Sequence, residues 1–159
     1  MINIKKSRAI QASPEKIWQF INQVERFPEW MPGILTSEVI TESANPNSRV
    51  GRQQKLKLKL EIGEGESIQE VIAWEPPNRI TWQHVSDVVD GKKIDYASEI
   101  KTTMSITNDN GKVSFRMVGS WQPVGISGKL MSRIMKRSVE KNFEKALDNL
   151  QKLLENNTT

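Results

Sequence analysis

A chain of 159 residues with no cysteine has room for one domain around a real hydrophobic core, and it excludes disulfides, thiolate metal sites and cysteine nucleophiles. Its 23 Lys and Arg against 19 Asp and Glu leave a net charge of +4, an excess that ordinary surface charge explains as readily as an anionic partner. No apolar run approaches the roughly 20 residues of a membrane span, and the first residues lack the apolar core of a signal peptide, so a cytoplasmic location is expected.

The chain opens on alternating apolar and polar residues from Met1 to Arg8, the pattern of a strand. Ser13 then stands as a helix N-cap with Pro14 at the first helical position, where its missing N–H costs nothing. Glu15 follows in the first turn, where the helix dipole favours a negative charge. Ile17, Phe20, Ile21 and Val24 recur at helical spacing and predict one apolar stripe. Pro28 and Pro32 break the chain around Trp30 and Met31, large side chains that a short second helix or turn must bury.

Six more strands are predicted, over 35–42, 50–61, 66–74, 79–86, 93–107 and 112–122, each bounded by Gly, Pro, Asn or Asp. Between Gln54 and Leu60 the leucines face inward and the lysines face water. Asn110-Gly111 is the strongest hairpin signal, a two-residue type I′ turn. It pairs Asp109 with Lys112, and hence Met104 with Met117 and Ile100 with Trp121. The even residues Ile94, Tyr96, Ser98, Ile100, Thr102, Met104 and Ile106 then share a face with Val113, Phe115, Met117, Gly119 and Trp121. Ile80, Trp82 and His84 form one face of the preceding strand. For His84 to share its side with Tyr96 and Ser98, the loop around Asp90-Gly91 must hold an odd number of residues; a tight two-residue turn would flip it. The inner face of the 66–74 strand stays open between Val71 with Ala73 and Ile68, Ile72 with Trp74.

The chain closes on a helix predicted over 126–154. Met131, Met135, Val139, Phe143, Leu147, Leu150 and Leu154 form its stripe, widened by Leu130, Ile134, Ala146 and Leu153. Its roughly 43 Å is enough to cross a whole sheet. Seven antiparallel strands with helices at both ends of the sequence make an α+β layout.

The capped helix, the Phe27-Pro28-Glu29-Trp30-Met31-Pro32-Gly33 elbow and the turn Glu75-Pro76-Pro77-Asn78-Arg79-Ile80 resemble the START-like (SRPBCC) superfamily. The match is to its polyketide cyclase/dehydrase and lipid-transport group, and it spans nearly the whole chain. The resemblance implies a helix-grip fold: one domain over 1–159, with a seven-stranded antiparallel curved sheet wrapped around the long C-terminal helix and two short helices after the first strand. It also implies a ligand enclosed between sheet and helix.

Strand parity supplies the candidate site. Leu56, Leu58, Trp82, Phe115, Met117 and Trp121 are apolar and inward; Arg52, Gln54, His84, Tyr96 and Ser98 are polar and point the same way. So many buried polar groups are costly in a closed core and expected around a ligand-filled cavity. Ile100, Trp30 at the elbow, and Met131 and Met135 on the last helix complete the expected lining.

The function expected is binding, and transport, of a hydrophobic or amphipathic small molecule such as a lipid, isoprenoid or polyketide. The alternative is a cyclase or dehydratase on a polyketide-like ligand in the same cavity. His84 would then be the general acid/base, being the one side chain that titrates near neutrality unperturbed, with Tyr96 as its partner. Carrier is preferred to enzyme, because no carboxylate is evident to partner the histidine. With one histidine and no cysteine a metal site is not expected, and no nucleotide motif calls for a cofactor.

Lys129, Arg133, Lys136 and Arg137 place four cations before the first acid of the last helix. They read either as a solvated face or as a peripheral contact with an anionic membrane beside the cavity mouth. Nucleic acid is not an expected partner, and the chain is expected to be a monomer or a weak dimer.

Overall fold

The computed structural model describes residues 1–156. Strand β1 (Ile2–Ala9) leads into helix α1 (Pro14–Ile21), a single 3-10 turn (Val24–Arg26) and the short helix α2 (Phe27–Trp30). Strands β2 (Ile34–Thr41), β3 (Gln53–Leu60), β4 (Gly63–Glu75), β5 (Arg79–Val89), β6 (Lys92–Lys93), β7 (Ala97–Asp109) and β8 (Lys112–Pro123) follow, and α3 (Gly125–Glu155) closes the chain. The sheet is antiparallel in the order β1-β8-β7-β5-β4-β3-β2, with β6 paired to β5 outside that path. This is the expected α+β helix-grip architecture. No helix among the described residues is long and apolar enough to cross a membrane.

Local chemistry accounts for the start. The Ser13 side chain accepts from the Lys16 N–H at 3.1 Å, satisfying one of the four donors that a helix N-terminus leaves unpaired. Ile17, Phe20 and Ile21 are buried, and Trp18 joins them. At the elbow Trp30 is buried edge-on against Phe27 at 5.9 Å and Phe115 at 6.2 Å, and Phe27 meets Trp82 at 5.9 Å. The Asn149 amide donates to the Trp30 carbonyl at 3.1 Å, which ties α2 to α3. Arg79 donates to Glu75 at 2.7 Å across the Pro-Pro turn.

The hairpin register is as the sequence predicts, with Asp109 opposite Lys112 and Met104 opposite Met117. Four other details differ. The predicted 93–107 strand is two strands, because residues 94–96 leave the ladder between β6 and β7. Asp90-Gly91 is a tight two-residue turn, both residues at positive φ, pairing Val89 with Lys92. It does not flip His84 away from Tyr96, since an extra residue in β5, Val85, inverts the parity once more before the turn. In β4, Ser67, Gln69 and Val71 face inward, and a bulge between Val71 and Ala73 then turns Trp74 inward as well. Trp74 packs against Trp18 at 6.1 Å and donates to Asn22. A bulge extra residue changes which parity is inside, so each alternative holds only in part: Val71 is inward before the bulge and Trp74 after it, while Ile72 is exposed. Lastly, Ser98 is exposed: a register shift between Ser98 and Lys101 places Ser98 opposite the exposed Gln122, on the outer face.

Helix α3 divides into two halves. Phe143, Ala146, Leu147, Leu150 and Leu154 are buried against the sheet. Arg8 on β1 bonds Glu144 and Asp148, and Lys6 lies 3.3 Å from Glu144. Toward the N-terminus Met131, Met135 and Val139 are half-buried, and Leu130 and Ile134 are exposed instead of widening the core stripe. There the helix stands over open space, so only its innermost residues face the sheet.

Trp30 is enclosed by aromatic rings, so its truncation removes packing on several sides. Replacing Trp30 with Ala is expected to lower unfolding stability by about 3–5 kcal/mol. Chemical denaturation monitored by far-UV circular dichroism measures this; a loss of under about 1 kcal/mol is incompatible with a core role.

Candidate functional site

Gly119 on β8 explains why the two halves of α3 behave differently. A Cβ there would lie 3.2 Å from the Phe143 ring, closer than ordinary contact, and 3.6 Å from Val139, so glycine lets the helix settle this close to the sheet without displacing the ring. Beyond Phe143 the helix rides over the sheet and leaves a cavity of about 250 Å³. Its apolar wall includes Leu60, Ile62, Ile94, Ile100, Trp121, Met131, Ile134 and Met135; His84, Asp87, Tyr96 and Thr102 bring polar groups. A neighbouring cavity of about 280 Å³ shares Leu60, Glu61, Ser138, Val139, Asn142 and Phe143 with it. Met31, Ile34, Leu58 and Met117 close that second space. At the other end, Gly128 holds the start of α3 against the Tyr96 segment: its Cβ would lie 2.5 Å from the Tyr96 carbonyl. Trp121 donates to the buried Ser132 hydroxyl at 3.0 Å, a further tie between β8 and this half of α3.

The polar end depends on a second bulge. Gln69 pairs with His84 but Ile68 pairs with Ser86, so Val85 is the extra residue. In a regular strand, residues three apart point to opposite faces. Across this bulge His84 and Asp87 point to the same face, and His84 Nδ1 lies 2.8 Å and 3.0 Å from the two Asp87 oxygens. A carboxylate only accepts, so Nδ1 carries the proton and donates it to Asp87. Nε2 is then an acceptor, and the Gln69 amide N–H donates to it at 3.1 Å. Gln69 Oε1 in turn accepts from the Gln54 amide at 3.3 Å, and Ser67 Oγ lies 3.3 Å from both Nδ1 and Gln69 Nε2. The result is a hydrogen-bonded row across β3, β4 and β5, running from Gln54 in the interior to Asp87 at the cavity.

Burial pushes the Tyr96 phenol above its ordinary value, and the charges of Asp87 and Asp95 add to the rise. Burial pulls the Arg52 guanidinium below its ordinary value and nearby Arg49 adds to that, while Glu42 and Glu25 oppose it.

Of the residues expected to line a cavity, His84, Tyr96, Ile100, Trp121, Met131 and Met135 meet around the first space, and Leu58 and Met117 border the second. Trp30, Trp82 and Phe115 sit instead in the aromatic core, and Leu56 is buried in β3. Arg52 and Gln54 are buried on the interior side, away from the lining. Ser98 borders a different space, of about 230 Å³, which shares His84, Asp87, Ile94 and Ile100 with the first. Sequence reasoning did not assign Asp87, Ser67, Gln69 and Gly119 to the site, nor Leu60, Ile62, Ile94, Thr102 and Ile134 of its wall. Choosing Val71 as inward would have brought Ser67 and Gln69 with it, but nothing in the sequence marks the bulge at Val85 that turns Asp87 inward. Among the described residues no group of three His, Asp or Glu side chains converges as a metal site.

Comparison with known proteins adds the following. The family model described as polyketide cyclase / dehydrase and lipid transport matches residues 1–155. No curated protein matches the sequence. Among solved structures, a START superfamily protein from Mycobacterium smegmatis superposes with a TM-score of 0.75 at 17% identity, covering 98% of this chain and 99% of its own. The ZhuI aromatase/cyclase from Streptomyces sp. R1128 gives 0.75 at 9% identity, covering 99% and 96%. The Aha1 dimer from Colwellia psychrerythraea gives 0.62 at 19% identity, covering each chain in full. At these identities the likeness is one of fold.

Tyr96 is the single tyrosine of the chain, so its ionisation is read directly from tyrosinate absorbance. The midpoint is expected above the ordinary phenol value of about 10, and Asp87→Asn should lower it. Because the folded state holds this proton longer than the unfolded chain, the associated stability is intact below the ordinary value. It is lost as pH rises from there through the folded-state value. A midpoint at or below the ordinary value, in a protein still folded, contradicts the assigned environment.

Proposed function

The chain belongs to the polyketide cyclase / dehydrase and lipid transport family, and from that premise we propose that it binds a hydrophobic or amphipathic small molecule between the sheet and the first half of α3. The observation that carries this reading is the cavity itself: aliphatic, methionine and tryptophan walls with polar side chains gathered near Asp87, His84 and Tyr96. A mostly apolar lining with a few convergent polar groups is the usual composition of a small-molecule site. Methionines on the helical wall adapt to ligands of varied shape.

A second reading, cyclase or dehydratase chemistry with His84 as general acid/base, draws support from its hydrogen bond to Asp87. Such a pair orients an imidazole and stabilises its protonated form. Binding without turnover remains the preferred reading, because Gln69 occupies the Nε2 lone pair that a general base would need free.

The experiment that tests the site is native mass spectrometry of the protein as purified from cells. A retained apolar molecule of constant mass is expected, displaced when Met135→Trp fills the cavity. A protein that elutes empty and takes up no lipid, isoprenoid or aromatic polyketide probe contradicts the reading. Time-dependent conversion of a bound molecule moves the assignment to the enzyme.

The family's cavity also has to be reached, and we propose an anionic membrane surface as the place of exchange. Lys129, Arg133, Lys136 and Arg137 are all exposed on α3, and Ile126, Leu130 and Ile134 stand out of the same helical stretch. Ile62 and Ile134 are at once exposed and part of the cavity wall. Cations beside exposed aliphatic groups suit an anionic lipid interface, each charge contributing about 1 kcal/mol there. Vesicles containing phosphatidylglycerol should therefore sediment the protein at low salt and release it at high salt. Reversing Arg133 and Lys136 to Glu should abolish this binding. Equal binding to neutral and anionic vesicles, or to neither, refutes membrane contact through this face.

A further inference from the structure

The polar end of the cavity is unequal in donors and acceptors. Both nitrogens of His84 are committed, Nδ1 to Asp87 and Nε2 to Gln69, so the imidazole presents no free donor to a ligand. The Asp87 carboxylate accepts from His84 Nδ1. Two carboxylate oxygens offer about four lone-pair sites, and the side chain keeps 14% of its surface open beside the cavity. Tyr96 is held as a neutral phenol by its surroundings, able to accept as well as donate. The second charge at this rim, Glu61, is also a carboxylate. Lys101 also borders the cavity, but its register position opposite Gln83 and Ser120 belongs to the outer face, alternate to Trp82, Thr102 and Gly119. The cations of α3 lie outside, on the solvent side of the helix.

We infer that the cavity selects amphiphiles whose polar end donates a hydrogen bond, an alcohol, phenol or ammonium, and discriminates against those that end in a carboxylate. The inference rests on the cavity-binding reading above and adds the ligand's chemical class to it. A donor head group placed at Asp87 makes a charge-assisted hydrogen bond. A carboxylate in the same place meets a like charge in a partly desolvated site with no free cation to offset it. Fatty acids and other anionic lipids are thereby directed to the basic outer face of α3, and the interior is left to neutral or cationic amphiphiles.

Calorimetric titration with decan-1-ol, decylamine and decanoate, matched in chain length, tests this at neutral pH and physiological salt. The alcohol and the ammonium are expected to bind at least about tenfold more tightly than the carboxylate. In Asp87→Asn, shown to be folded by its thermal transition, the gap should shrink to within about threefold, with the ammonium losing most. The ranking in the unaltered protein is decisive even if that variant fails to fold. Decanoate binding as tightly as the other two, or more so, overturns the inference and leaves the cavity reading standing. An unchanged gap in folded Asp87→Asn also overturns it, because the selectivity then lies elsewhere. If none of the three binds, the cavity reading falls and this inference with it.

Discussion

Phe143 rests on the sheet where Gly119 offers no side chain, and the geometry of the rest follows from that contact. On its C-terminal side α3 is packed down by Leu147, Leu150 and Leu154 and held laterally by the ion pairs from β1. Exposed pairs of this kind contribute about 0–1 kcal/mol each, whereas a fully buried leucine contributes about 1.5–3 kcal/mol. Apolar packing therefore anchors the helix, and the charges set its position across β1. On the other side of Phe143 the helix is held at its far end by Gly128 against Tyr96 and by Ser132 under Trp121. Between those supports the helix spans the cavity like a beam.

That arrangement separates stability from binding along one helix. The aromatic cluster of Phe27, Trp30, Trp82 and Phe115 fills the space beneath α2, so this region is core and not cavity. The exposed aliphatic residues of α3 lie over the other region, where there is no sheet surface for them to cover. A helix with apolar side chains on two faces is what a lid needs if one face lines a cavity and the other meets an apolar surface.

Not all interior polarity is resolved by pairing. Among the described residues, Arg52 Nε and Nη2, Gln54 Oε1 and the indole N–H groups of Trp30 and Trp82 are buried without a hydrogen-bond partner. Each such group forfeits about 1–3 kcal/mol of desolvation. The row from Gln54 through Gln69 and His84 to Asp87 is better satisfied, and it is the part that reaches the cavity. Its order follows from the bulge at Val85, which aligns four polar side chains from three strands on one face.

The element order, the Ser13 cap, the Asn110-Gly111 hairpin with its register, and the long closing helix are legible in the amino-acid sequence. These depend on local spacing: a period of 3.6 or of 2, a capping hydroxyl, a turn dipeptide. The sequence also puts Trp121, Met131 and Met135 on the interior by strand parity and helical spacing, whereas His84 reaches the side of Tyr96 only because the Val85 bulge offsets the two-residue turn. Which inward residues border empty space and which are packed solid depends on how the helices lie over the sheet. Trp30, Trp82 and Phe115 carry the same inward signal as Trp121, and the difference is where α2 and α3 happen to lie above them. Ser98 falls on the other face, and Asp87 goes unread, for one shared reason: an extra residue in a strand reverses every later side chain, and the hydrogen-bond ladder that accepts that residue is formed by a partner strand distant in sequence.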